Sequence, residues 1–285
     1  MEELTFGGDP LEAVILPAVG ARIHRLRAFG HDLLRTSADP ATHLADPHFW
    51  GAYPMAPWCN RIAPGAVTVE GRTVDLPPTF PDGSAIHGQV STRPWAYSDG
   101  TLRISRNSDG WPWPFEVVAH IAVDGPTLAL DYELVNRSDS AMPAGIGLHP
   151  WFRRPVELRV GASTVYASNS GSPAVAASVR DDLDLRSLGP PAPDLDGTWV
   201  SAGPASVDVV WPDIGLRATV EANVPCIAVA TPSNLDAIAV EPQTHGPDGM
   251  RRLLSGEPDA LALLAPGEAL RLEVRLTVER VSLAR

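Results

Sequence analysis

Lysine is absent: all 22 basic residues of this 285-residue chain are arginine. That removes a lysine Schiff base, lysine-anchored pyridoxal phosphate and the Walker-type phosphate lysine. Cysteine is nearly as scarce. Cys59 and Cys226 lie far apart, and neither forms a C-x-x-C or a paired Cys/His spacing, so zinc ribbons and thiol redox motifs are excluded. A disulfide between them is not expected in a reducing compartment. No stretch reaches ~18 apolar residues, and the start MEELTFGGDP has no basic segment leading into an apolar one. The expectation is a soluble, cytoplasmic protein with no membrane partner. Cationic surface is short as well: 22 basic against 34 acidic residues give a formal net charge of -12. Phosphate backbones need a cationic face, so nucleic acid is not an expected partner.

Glycine (24) and proline (29) are plentiful. Such a density of breakers favours short strands and turns over long helices. The clearest periodicity is two-fold. In TLALDYELV, Leu128, Leu130, Tyr132 and Leu134 share a face, and the preceding FEVVAHIAV ends at Asp124-Gly125, a plausible hairpin turn. ALRLEVRLTVERV sets Leu270, Leu272, Val274, Leu276 and Val278 against arginine and glutamate, the pattern of a half-buried strand. CIAVAT and AIAVE read as interior strands, while Leu33–Thr42 and Gly249–Leu254 each have room for a helical turn or two. The proline-rich stretch from Arg180 to Pro204 is flanked by strand-like runs, so it is read as a long ordered loop rather than a linker. The pattern predicts one all-β domain over residues 1–285, a large antiparallel β-sandwich of roughly fifteen to twenty strands.

Four segments carry polar residues in demanding contexts. In PWCNRIAPG, Asn60 and Arg61 precede a Pro-Gly turn; they are either a salt-bridged loop or ligand contacts. In IHGQ, Gly88 lets the backbone approach a neighbour closely beside His87. In GIGLHPWF, His149 sits between an apolar strand and two aromatics, next to Trp151. In AVEPQT, Glu241 ends an apolar run, and a buried carboxylate needs a partner or a function. Glu241, His87 and His149 are also a possible metal ligand set, but no close ligand spacing occurs among them and no metal is expected.

These segments, in this order, resemble the aldose 1-epimerases (galactose mutarotase-like proteins). The match runs from GARIHRLRAFGHDLL through GAYPMAPWCNRIAPGAVTVEGRTVDL, AIHGQV, GIGLHPWF and DLDGTW to AVEPQTHGPD. The resemblance implies the galactose mutarotase-like β-sandwich, a monosaccharide substrate, no cofactor, and a monomer or homodimer. It implies that Glu241 is the general base at the anomeric hydroxyl, His149 the general acid at the ring oxygen, and His87 a second histidine near that oxygen. Arg61 and Asp196 match residues that hold sugar hydroxyls; Asp196 is preferred over Asp194 because Trp199 follows at the family's interval. Asn60 and Gln243 either bind further hydroxyls or satisfy loop backbone, and Trp58, Trp95, Trp151 and Trp199 either pack in the core or offer a stacking surface, with Trp151 taken as the substrate contact.

The expected reaction interconverts α and β anomers of a free aldohexose by ring opening and re-closure, with a carboxylate and an imidazole on opposite sides of the sugar. His149 is then expected to titrate near neutrality and Glu241 to be ionised. Two departures bear on the sugar, the second of them similar to the hexose-6-phosphate 1-epimerase branch. Gln89 stands where many galactose mutarotases have a second glycine, and Trp95 follows His87 in HGQVSTRPW. A phosphorylated sugar would need an arginine cluster, for which Arg93, Arg153 and Arg154 are candidates. The reading from another class is a non-catalytic carbohydrate-binding β-sandwich.

Overall fold

The two-fold alternation is realised in two large antiparallel sheets. The computed structural model describes residues 1–107, 110–168 and 174–282. One sheet has eleven strands and the other eight, and three two-stranded ribbons complete the set. The described residues form twenty-five strands, more than the turn density predicts. The surplus consists of two- and three-residue strands such as Arg61–Ile62 and Ala85–Ile86, too short to show a period.

The predicted hairpin is present: Phe115–Asp124 pairs with Thr127–Asn136, and Asp124 faces Thr127 across a two-residue turn. Ala269–Arg280 joins the same sheet with Leu272, Val274, Leu276 and Val278 buried, as the alternation requires. Gly249–Ser255 is the longer of the two α-helices, close to its expected place. The other, Thr42–Ala45, begins where a helical turn over Leu33–Thr42 was expected to end. Leu34 bridges to Phe152 instead, because burying it beside the sheet outweighs a marginal local helix. The Arg180–Pro204 stretch is ordered and contains the strand Asp196–Val200.

Four strands of the larger sheet position the site: Arg22–Ala28, Ala52–Met55, Gly147–Arg153 and Ala237–Gln243 lie side by side. On the last three, alternate residues face the second sheet. Ala52, Leu148, Phe152, Ile238 and Val240 belong to the core between the sheets. Tyr53, Met55, Trp151, Ala237 and Ala239 form a separate small cluster on the opposite face. His149 and Glu241 share this outer face by parity, so side chains there are free for chemistry while their neighbours hold the sandwich together.

Candidate active site

Register places the reactive pair. Gly147 faces Gln243 and Trp151 faces Ala239, so His149 lies opposite Glu241. Their side chains meet with His149 Nε2 3.2 Å from Glu241 Oε1, both about 95 % buried. On its other flank His149 faces Tyr53, whose ring stacks on it at 4.7 Å and 27°. His87 completes the group with its ring edge-on to His149 at 4.9 Å.

These side chains line a cavity of about 260 Å³ together with His48, Phe49, Asn60, Arg61, Phe80, Trp151, Asp194 and Asp196. The volume lies just below the ~300–1,000 Å³ typical of drug-sized ligands and suits one sugar ring. The lining is mixed in the way such a ring requires. Phe49 and Phe80 are half-buried and supply apolar faces, while carboxylates, imidazoles and one guanidinium supply hydrogen bonds.

The loop bearing His87 depends on its glycine. His87 has φ 58°, its N–H donates to the Asn60 carbonyl at 3.0 Å, and Gly88 follows at φ 73°. A Cβ on Gly88 would stand 2.0 Å from the Ala56 carbonyl oxygen, which already accepts from Gln89 N–H at 2.7 Å. Backbone cannot move aside as a flexible side chain can. Gly88→Ala should therefore destabilise the fold by at least about 2 kcal/mol and displace His87. Denaturant unfolding of the variant checks this, and an unchanged midpoint would contradict it.

Asn60 is buried and its Nδ2 reaches Gln243 Oε1 at 3.5 Å, while Gln243 Nε2 reaches Thr198 Oγ1 at 3.4 Å. Gln243 has no exposed surface and is not part of the cavity wall. Of the two readings of Gln243, a sugar contact or a structural polar group, its place behind Asn60 favours the second. Arg61 reaches the wall with its Nε bonded to Asp82 at 3.0 Å and its guanidinium over Phe80. Asp194 and Asp196 both line the cavity; Asp194 is engaged by Ser233 N–H at 2.8 Å, whereas the charge of Asp196 acts on Glu241.

Of the four tryptophans considered as stacking surfaces, Trp151 alone lines this cavity. It is held by a 2.6 Å bond to the His48 carbonyl and tilts against His149. Trp58, Trp95 and Trp199 are buried in the main core, their indole N–H groups spent on the carbonyls of Ala85, Val90 and Leu183. The wall residues absent from the sequence reading include His48, Phe49, Tyr53 and Phe80. Tyr53 has a signal in its outer-face parity within AYPM, but the other three lie outside the strands and carry none.

Burial also bears on the protonation expected of Glu241 and His149. Burial, reinforced by the charge of Asp196, pushes the Glu241 carboxyl well above its ordinary range. Burial pushes His149 well below neutrality, aided by the nearby cationic positions of His48 and Arg22. The two groups meet at 3.2 Å, and burial moves each toward its uncharged form. The phosphate reading also loses its cluster. Arg153 is bound to Asp213, Arg154 to the Thr231 carbonyl, and Arg93 lines a separate cavity beside Trp58 and Gln89. Among the described residues, no group of three His, Cys, Asp or Glu side chains is arranged to hold a metal ion.

Comparison with known proteins agrees with this architecture. A family model described as aldose 1-epimerase matches residues 3–277. A curated Escherichia coli (strain K12) protein, the uncharacterized protein YphB, is 26% identical over 245 residues, covering 80% of this chain and 83% of its own. A galactose mutarotase-like protein from Clostridium acetobutylicum superposes with a TM-score of 0.84 at 16% identity, over 97% of this chain and 95% of that one. Galactose 1-epimerase from Lactobacillus acidophilus gives 0.78 at 18% identity, over 98% and 96%. The structural likenesses speak for the fold, and the family match over nearly the whole chain settles its kinship: this protein belongs to the aldose 1-epimerase family.

Proposed function

We propose that this protein is a mutarotase for a free aldohexose, with Glu241 and His149 as its acid/base pair and His87 beside them. The observation that carries the reading is the buried 3.2 Å contact between Glu241 and His149 in a wall of the sugar-sized cavity. The anomeric hydroxyl and the ring oxygen hang on the same carbon, so two adjacent side chains reach both. In this reading the pair acts from one side of the sugar, rather than from the two opposite sides expected from the sequence.

The chemistry then follows from one proton moving between two tautomers. In the charge-separated tautomer Glu241 is a carboxylate and His149 an imidazolium. Glu241 takes the proton of the anomeric hydroxyl, the C1–O1 bond becomes a carbonyl, and the bond from C1 to the ring oxygen breaks. His149 gives its proton to the departing ring oxygen. The pair is left uncharged, in the tautomer that burial favours, and no proton has been exchanged with solvent. Rotation about C1–C2 presents the other carbonyl face, and the reverse transfers close the ring as the opposite anomer. Acid–base help of ~10²–10⁴-fold suffices for a hemiacetal that already opens slowly in water.

Arg61, Asp196 and Asn60 bind sugar hydroxyls in this reading, and Trp151 shapes the wall beside His149. The wall holds the carboxylates of Asp194 and Asp196 against a single arginine, Arg61, itself bonded to Asp82. Such a wall disfavours a phosphate dianion, which supports an unphosphorylated substrate. Polarimetry on freshly dissolved glucose, galactose and glucose 6-phosphate tests this. Faster equilibration of a free hexose than of the phosphorylated sugar is the expected result. A strong preference for glucose 6-phosphate would overturn the substrate assignment, and binding without faster equilibration would favour the carbohydrate-binding reading.

A further inference from the structure

Arg22 is a charge with no ordinary explanation. Its residue is 0% exposed, and among the described residues no carboxylate lies within ion-pair distance of it. Its guanidinium donates instead to the carbonyls of Trp50 (2.7 Å), Pro47 (2.7 Å) and Ser91 (3.3 Å). Burying a cation on carbonyl partners alone is costly.

Its location in the sheet supplies a reason. Ile23 faces Ala52, so Arg22 faces Tyr53; Tyr53 faces His149, and His149 faces Glu241. Arg22, Tyr53, His149 and Glu241 therefore form one straight row across four adjacent strands. Each step is a contact: the Arg22 guanidinium lies 4.3 Å from the Tyr53 ring centre, Tyr53 stacks on His149, and His149 meets Glu241. Two of the carbonyls that hold Arg22, those of Pro47 and Trp50, flank His48, whose own carbonyl accepts from Tyr53 Oη and Trp151 Nε1.

We propose that Arg22 is a positioning residue for the acid/base pair, fixing the Tyr53–His149 stack and biasing the shared proton away from His149 toward Glu241. This rests on the mutarotase reading for its consequence, but not for its geometry. A cation at the far end of the row disfavours imidazolium, which makes His149 a stronger donor once the charge-separated tautomer forms. Two strand spacings put the charge roughly 10 Å from His149, where it shifts a proton equilibrium by about one pH unit at an effective dielectric constant near 20. The other groups facing the pair are His87, His48, Arg61 and Asp196, with Asp46 near Arg22 and Tyr53.

The test is the protonation of His149 in the whole protein, followed by ¹⁵N NMR of labelled histidine from pH 5 to 8 and assigned with His149→Asn. Arg22→Gln should raise the protonated fraction of His149 at every pH, equivalent to an upward shift of about one unit, whereas Arg22→Lys should leave it near wild type. The pH profile of anomer interconversion should move upward in parallel. If Arg22→Gln does not fold, Arg22→Met, which keeps the stem packing, takes its place. An unchanged His149 in the uncharged variant, or an equal shift in Arg22→Lys, overturns the inference. The NMR readout does not depend on turnover, so failure of the mutarotase reading would be seen separately, as an inactive wild type.

Discussion

Glu241→Gln should reduce the enzyme-dependent rate of anomer interconversion at least ~10²-fold while leaving sugar affinity within a few-fold of wild type. The amide keeps the length and shape of the side chain and one carbonyl acceptor, so the cavity wall is preserved. It cannot take a proton from the anomeric hydroxyl, and the one-proton exchange with His149 is lost. The carboxylate is about 95 % buried, and its Oε2 has no partner among the described residues. Replacing it removes a costly buried acid, so stability should hold or rise. Rate constants from polarimetry together with a calorimetric sugar affinity check the prediction. Retained activity would remove Glu241 from its role, whereas loss of affinity in step with rate would make it a binding residue.

Acidification from pH 7 to 5 should lower the unfolding free energy by about 2–4 kcal/mol, well before the surface carboxylates protonate. The cause is buried histidine. Burial pushes His43 down to about 3 and His245 down to about 4, each from 6.5. The folded chain keeps them neutral while the unfolded chain takes up protons below about 6.5. The unfolded state then binds more protons, so stability is complete above that value and falls as pH drops toward the folded values, by roughly 1.4 kcal/mol per unit for each group. Glu241 acts in the opposite sense. Its raised value means that the folded state keeps a proton the unfolded state has released, so its contribution is full below about 4.5 and is lost as pH rises. One such carboxyl offsets one histidine, and His87 is held down by burial as well. The geometry explains why these rings resist protonation. His245 Nε2 accepts from Cys59 N–H at 2.9 Å and its Nδ1 side meets the Gly246 carbonyl, so a second ring proton would point at a donor. His43 meets His24 nitrogen to nitrogen at 2.9 Å, which accommodates one proton but not two. Denaturant unfolding at pH 7, 6 and 5 measures the slope, and a flat profile would contradict the account.

Face and register separate what was legible in the sequence from what was not. In TLALDYELV and ALRLEVRLTVERV, alternation assigns Leu128, Leu130, Tyr132 and Leu134, and Leu272, Val274, Leu276 and Val278, to the core, and the sheet bears this out. The close approach expected at Gly88 is equally plain, because glycine there has a steric reason. Register across the sheet was not legible. Positions 22, 53, 149 and 241 are brought into one row by strands that are distant in the chain, and no local pattern announces that arrangement. Arg22 reads in the sequence as an ordinary polar residue of GARIH. Gln243 shares the outer face with Glu241, yet Asn60 and Thr198 cover it, which parity alone does not reveal. The protonation expected for Glu241 and His149 runs against the direction in which burial moves each group, and the depth of that burial follows from register rather than from local sequence.

The measurement that bears most directly on the central claim is magnetisation exchange between the α and β anomeric protons of equilibrated glucose and galactose, with and without the protein. The account predicts an added exchange rate for at least one of these sugars that is linear in protein concentration. It should rise and fall with pH on either side of the range in which Glu241 and His149 hold a single proton between them. Exchange indistinguishable from buffer for both sugars across that whole range, with the sugar demonstrably bound, would contradict it.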